Sequence, residues 1–399
     1  MIQISDQANC CGCTACASAC PHHAITMIED DLGFLYPHIE TIKCTNCGLC
    51  EKVCAFHDNY DKSLNLKEPL IYAARHKNMH EIETSRSGAA FIAISDYILS
   101  LNGIVYGAGY TEHFRVVHKR ATTAKERDEF KGSKYVQSDL RGIYPLIKKD
   151  LQNGHWVLFS GTPCQTAGLA SFIGKRLSQR LILVDIVCHG VPSPFIWRDY
   201  INYIEKKYKQ QIIQVNFRDK SRIGWSGHKE SFILKNYQKI ESDIYTNIFF
   251  NDVVLRPSCK QCFYTNIYRP SDFTLGDYWG WERISQTFNK DNKGCSLLFI
   301  NTSKAQSIFN YIKKDLNIVE TTVKDCLQPN LIHPTIFSPR NELFKKEYCE
   351  QGFKYIVKKY GKTTLKEKYL KTKQQAIITI KRYILIFFPI IQHYKTKKV

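Results

Sequence analysis

The chain has 399 residues, 44% hydrophobic and 23% charged, with 16 Cys and a formal net charge of +19. That composition is ordinary for a globular protein and excludes global disorder, a collagen-like chain and a polytopic membrane protein. The charge is uneven: residues 1–60 hold 2 basic and 7 acidic residues, whereas residues 340–399 hold 16 basic and 4 acidic.

The start, MIQISDQANCCGC, has neither a basic n-region nor an apolar h-region, so the expected location is cytoplasmic. In a reducing compartment this many cysteines point to metal ligands or catalytic thiols rather than disulfides. Cys10, Cys13, Cys16 and Cys20 form C-x₂-C-x₂-C-x₃-C before Pro21, and Cys44, Cys47, Cys50 and Cys54 repeat the spacing before Ala55. Two-cluster bacterial ferredoxins use this pattern: three cysteines hold one cube and the fourth reaches the other cluster. The expected sets are Cys10, Cys13, Cys16 and Cys54 for one [4Fe–4S] cluster, and Cys44, Cys47, Cys50 and Cys20 for the other. Gly12 and Gly48 let the backbone close on the clusters. Zinc is the alternative, but its sites usually pair C-x₂-C units without a third Cys at the same step. Cys11 reads as a bystander.

Residues 59–69 (NYDKSLNLKEP) are polar and read as a linker. Residues 87–101 carry apolar residues at helical spacing and stop before Gly103, a helix end. Short strands are expected at 104–106 and 116–117. The runs 156–160 (WVLFS) and 181–188 (LILVDIVC) are continuously apolar, as in strands covered on both faces. A helix follows over 195–208. Strands leading through Gly-containing turns into helices favour α/β layering. Near the C-terminus, 376–392 (AIITIKRYILIFFPIIQ) is interrupted by Lys381, Arg382 and Pro389 and is too short to span a membrane. It reads as a helix docked on the body, with a peripheral membrane contact through the basic tail as the alternative.

The body segments SRSGAA (85–90), KGSKYVQSDL (131–140), FSGTPCQTAGL (159–169), VDIVCHGVPSP (184–194), VNFRDK (215–220), RPSCKQC (256–262) and DFTLGDYWG (272–280) are distinctive. In this order, behind a two-cluster head, they resemble the β-subunit family of the coenzyme F-420-reducing hydrogenases and dehydrogenases. The resemblance runs from about Cys10 to about Arg340. It implies FAD beside the iron–sulfur clusters, and a small conjugated substrate such as the deazaflavin coenzyme. Chemistry agrees, since a flavin is the usual converter between single electrons from clusters and a hydride pair.

The pyrophosphate of FAD needs small residues ahead of a helix. Ser85, Ser87 and Gly88 are one candidate cradle, and Gly161 and Thr162 before Gln165 are another. A plain N-cap is the alternative for SRSG, where Arg86 and Ala89 depart from the family pattern. The resemblance also raises Lys134 and Tyr135 as flavin neighbours. No G-x-G-x-x-G follows a strand, so a nicotinamide site is not supported.

Cys259 and Cys262 form a lone C-x₂-C, while Cys164 and Cys188 each follow a predicted buried strand, where α/β proteins place functional groups. These four are candidate ligands of a third [4Fe–4S] cluster. The alternatives are a redox dithiol at 259/262 and inert buried thiols at 164 and 188. Asp277 and His189 read as an Asx-type turn residue and a satisfied core histidine.

The expected fold class is α+β: a bacterial ferredoxin-like domain (1–58), a mixed α/β flavin-binding domain (70–340) and a basic helical tail (341–399). The expected function is an iron–sulfur flavoprotein oxidoreductase. Its expected partners are a redox protein or ferredoxin and a small-molecule hydride donor or acceptor. No nucleic-acid partner is expected, because no helix-turn-helix, zinc finger or basic aromatic stripe is present. The alternative function is a non-catalytic electron-transfer subunit, linked to surface-polysaccharide biosynthesis.

Overall fold

The computed structural model describes residues 1–362. The head holds two short helices, Ala15–Ala19 and Leu49–Lys52, and a hairpin of β1 (Ile25–Glu29) and β2 (Leu35–Ile39). The hairpin tip reaches into the body. Leu32 and Phe34 are buried in one apolar cluster with Val116, Ile196 and Trp197. Burying side chains of this size contributes about 1.5–3 kcal/mol each, so the head is anchored well beyond its own small core.

The body strands are β3 (Asn65–His76), β4 (Ile104–Tyr110), β5 (Val116–Ala121), β6 (Val157–Gly161), β7 (Leu181–Ile186), β8 (Ile212–Asn216), β9 (Glu230–Leu234), β10 (Lys239–Ser242), β11 (Phe273–Asp277), β12 (Ser296–Thr302) and β13 (Leu316–Thr321). Eight of them form one mixed sheet, ordered β13-β3-β12-β11-β7-β6-β4-β5. Strands β4, β6, β7 and β11 are parallel, and the strands flanking them pair antiparallel. The apolar runs expected as covered strands are β6 and β7, and both are sealed by helices. On one face lie Ala90–Ser100 and Ser303–Ile312, and on the other Ile143–Gln152 and Pro163–Leu177. Strands β8–β10 form a separate antiparallel sheet. The expected helix after β7 is Pro194–Tyr208, with Ser193 capping Ile196 N–H. The fold is thus mixed α/β behind a small ferredoxin-like head.

One stretch differs from the sequence expectation. Residues 59–69 are not a free linker, because β3 already begins at Asn65. Tyr60 is buried, its ring lies 4.8 Å from that of Tyr264, and its hydroxyl donates to Tyr268 O. Asn65 Nδ2 also donates to Arg269 O at 3.0 Å, so side-chain contacts and strand pairing fasten the stretch together. The first part of the basic tail forms the helix Asn341–Tyr360, which buries Phe344, Tyr348, Phe353 and Ile356 in the Trp197 cluster. The apolar stretch 376–392 lies outside the described residues. Among the described residues no helix is long and apolar enough to cross a membrane.

Candidate functional site

The two head loops repeat one backbone pattern. Gly12 (φ 70°) and Thr14 (φ 66°) in the first match Asn46 (φ 54°) and Gly48 (φ 75°) in the second. Left-handed residues at such spacing turn successive N–H groups into a concavity that favours an anion, as at iron–sulfur sites. Cys20, Cys44, Cys47 and Cys50 line one cavity with Met1 and Leu49. Backbone donors already point at its sulfurs: Ile2 N–H donates to Cys50 Sγ at 3.3 Å and Ala24 N–H to Cys20 Sγ at 3.3 Å. In the other set, burial pushes the Cys16 thiol far up, reinforced by the charges of Cys13, Cys10 and Cys54 around it. Among the described residues no three ligating side chains are gathered tightly enough to clasp a single ion. The Cys20 set rings a void instead.

The body brings four distant cysteines to a second cavity. Strands β6 and β7 run parallel with Gly161 beside Asp185, so the segments carrying Cys164 and Cys188 leave the same sheet end. Cys259 and Cys262 arrive on the turn Pro257–Gln261 and just beyond it. All four line one cavity with Cys11, His189 and Arg256. Burial raises Cys188, and raises Cys259 and Cys262 to about 12. Cys164 is instead lowered to about 7, first by a hydrogen bond from the Cys11 thiol. Thr162 Oγ1 also lies 3.2 Å from Cys164 Sγ.

Cys11 is not peripheral. Its buried side chain belongs to a cluster against which Cys13 and Cys54 of the head and Cys164 and Cys262 of the body pack, so it lies where the head set meets the body set. The helix carrying Cys164 presses on the same loop, since a Cβ on Gly168 would stand 2.7 Å from Cys13 Sγ.

The candidate flavin segments fall into two neighbouring places. Thr162 N–H donates to Gln165 Oε1 at 2.9 Å, and Gln165 Nε2 donates to Ser138 Oγ at 3.0 Å. Gly161 closes β6 directly ahead of them. In the other place, Ser85 closes the helix Met79–Thr84, Ser87 Oγ donates to Cys295 O at 2.7 Å, and Gly88 packs so closely that a Cβ would collide with Ala74 O. Ser87 and Gly88 are therefore seated on the sheet, and Arg86 is the side chain that projects. It donates to Arg218 O at 2.7 Å and to Trp225 O. Arg218 pairs with Asp277 and donates to Tyr135 OH at 3.3 Å, while Trp225 Nε1 donates to Asp277 Oδ1 at 3.0 Å.

Arg86, Arg218 and Lys220 gather around the Asp277 carboxylate. Burial works against the Asp277 carboxylate, but Arg218 and Arg86 hold its pKa below the usual range. Arg86 is lowered to about 10, first by burial and then by Arg218. Lys220 is lowered to about 7 by burial and by Arg86, and its Nζ donates to the carbonyls of Ile82 and Lys293. Among the described residues, the Nε atoms of Arg86 and Arg218 are buried without a partner. Trp279 is partly exposed and stacks on Trp225 at 4.5 Å. Lys134 sits to one side, with Nζ donating to Glu129 O and Lys131 O and lowered to about 7 by burial.

Asp277 and His189 both have partners that sequence reading did not supply. His189 Nε2 lies 2.6 Å from Asp252 Oδ1. Its ring is 5.1 Å from Phe249, which is 5.1 Å from Tyr135. One phenylalanine thus links His189 at the cysteine cavity to Tyr135, the partner of Arg218. Sequence reading passed over Arg218, Lys220 and Arg256 as functional residues. The only signal was their place in the distinctive segments VNFRDK and RPSCKQC.

The spacing of the head cysteines and the cavity that one set of them rings are those of an iron–sulfur protein. Residues 154–325 match the family formed by the C-terminal part of the coenzyme F420 hydrogenase/dehydrogenase beta subunit, and residues 9–57 match the 4Fe-4S dicluster domain. The first of these stretches is thus similar to this β-subunit family, and the stretch in front of it is similar to a two-cluster domain. A chain of the xenon-derivatised F420-reducing [NiFe] hydrogenase complex from Methanosarcina barkeri aligns at 13% identity and a TM-score of 0.44, covering 74% of this chain and 91% of that one. A search of the curated proteins found no match.

Proposed function

We propose that this chain is an iron–sulfur flavoprotein that exchanges a hydride with a small conjugated organic molecule, the deazaflavin coenzyme being the first candidate. A redox protein or ferredoxin would serve as its electron partner. The working divisions are 1–58, 70–340 and 341–399. Cys20, Cys44, Cys47 and Cys50 would hold the distal head cluster, and Cys10, Cys13, Cys16 and Cys54 the proximal one. Cys164, Cys188, Cys259 and Cys262 would hold the third. Bound clusters supply one-electron exchange, and bound FAD supplies conversion between single electrons and a hydride pair.

The observation that supports this reading is the meeting of head and body cysteines around Cys11, which packs with Cys13 and Cys54 and lines one cavity with Cys164, Cys188, Cys259 and Cys262. The cationic groups around Arg86 support a dinucleotide. Two buried Nε donors without partners, and a lysine held by carbonyls alone, suit a pyrophosphate.

The test is anaerobic purification with iron and flavin quantification and a visible spectrum. About twelve irons and about one flavin per chain are expected, and about eight irons in Cys259→Ala. About eight irons in the wild type, unchanged by that substitution, would remove the third cluster. A full iron load with no flavin would remove the flavoprotein reading. Full loading without turnover of any hydride acceptor would reduce the chain to a relay subunit.

A further inference from the structure

Arg256 stands just before the Cys259–Cys262 turn and lines the body cavity, yet its guanidinium reaches into the head. Nε donates to Cys10 O at 2.8 Å and Nη2 to Leu35 O at 2.8 Å, with Nη2 also 3.7 Å from Cys10 Sγ. Nη1 donates to Gln137 Oε1 at 2.9 Å. The guanidinium lies over Tyr36 at 4.3 Å. The side chain is 0% exposed. A comparison within the molecule is telling. Arg269, 1% exposed, is paired with Asp185 at 3.2 Å. Arg256 has no carboxylate partner among the described residues; its partners are carbonyls, an amide and a thiol.

An unpaired buried cation is strongly unfavourable, and arginine does not escape by losing its proton. Some anion must complete the site. A [4Fe–4S] centre on four thiolates carries net negative charge and gains one more on reduction. Arg256 thus contacts Cys10 of the proximal set and lines one cavity with Cys164, Cys188, Cys259 and Cys262 of the body set.

We propose that Arg256 is the shared counter-charge of the proximal head centre and the body centre. It favours the reduced state of both and so raises both potentials, while the distal centre lies outside its influence. This rests on the cysteine assignment proposed above. Arg256 is a positioning and tuning residue, not a catalytic one.

The test is an EPR-monitored redox titration of the full chain in wild type, Arg256→Gln, Arg256→Lys and Gln137→Glu, with iron content measured for each. In Arg256→Gln the reduced-to-oxidised ratio at fixed potential should fall about tenfold at the proximal and body centres, a drop of about 59 mV. The distal centre should not move. Arg256→Lys should restore most of the shift. Gln137→Glu sets a carboxylate against the guanidinium and should lower the same two potentials without removing the clamp, which keeps the idea testable if Arg256→Gln loses iron. Unchanged potentials in Arg256→Gln with iron intact, or in Gln137→Glu if it is not, would overturn the proposal, as would an equal shift at all three centres. Failure of the underlying assignment shows separately, in a wild type that lacks a body-centre signal.

Discussion

The two halves of the cysteine repeat fold alike and face opposite surroundings. Each loop has left-handed residues at the second and fourth positions after its first cysteine. Around the first half a Cβ on Gly12 would meet Arg256 Nη1 at 2.8 Å, and Gly168 abuts Cys13. Around the second half a Cβ on Gly48 would meet nothing within 4 Å, Cys47 is exposed, and Ile42 and Leu49 project into solvent. Identical local chemistry is therefore given different duties by what packs outside it. Under the proposed function, the open half is suited to exchange with an outside protein and the enclosed half to passing electrons into the body.

The largest effects that can break this contrast come from the cysteines. Cys47→Ala and Cys13→Ala should each cost about four irons. Only Cys13→Ala should also weaken the head–body contact, read as a lower denaturant midpoint. Equal midpoints would mean that the enclosed half is not held by its surroundings.

Acid should act next, and on the enclosed side. His118 is buried, stacked on Phe159 at 4.9 Å, with Nδ1 2.9 Å from Ser138 Oγ and Nε2 3.0 Å from Ser160 O. Burial lowers its pKa from the usual 6.5 to about 4. The folded state thus prefers the neutral ring. Its contribution is complete above pH 6.5 and is lost as the pH falls through 6.5 towards 4, by about 3 kcal/mol in all. His118→Gln should flatten stability across that window. A slope unchanged in the variant would place the acid sensitivity elsewhere.

Packing follows. Gly168→Ala drives a methyl onto Cys13 and should cost about 1–3 kcal/mol. Gly48→Ala meets open space and should cost only the left-handed backbone, about 1–2 kcal/mol. Thermal or chemical unfolding of the two variants measures the difference, and a reversed order would contradict the contrast.

The smallest expected effect is Cys11→Ala, which removes a thiol from between two cysteine sets. Iron content should not change. Loss of about four irons would instead make Cys11 a ligand of the body centre.

Much of this was legible in the chain. The repeat of C-x₂-C-x₂-C-x₃-C could be read because every spacing lies within one loop. The apolar runs at β6 and β7 announced covered strands, and the segment order pointed to the family that residues 154–325 match. Arg256 was not legible, because its partners Cys10 and Leu35 lie 246 and 221 residues away. Nor was the role of Cys11, whose neighbour Cys164 comes from the far side of the body, or the fastening of 59–69 by Tyr60.

By itself, then, the sequence determined the head loops, the parallel strands and the small residues that let the chain close on itself, since these depend on spacing, volume and backbone freedom within a few residues. Which half of the head is enclosed, which cysteines share a cavity, and where a guanidinium is left without a carboxylate were decided only by tertiary structure. Those outcomes depend on long-range burial, which sets the partners and the local dielectric of each charge, and no local pattern encodes it.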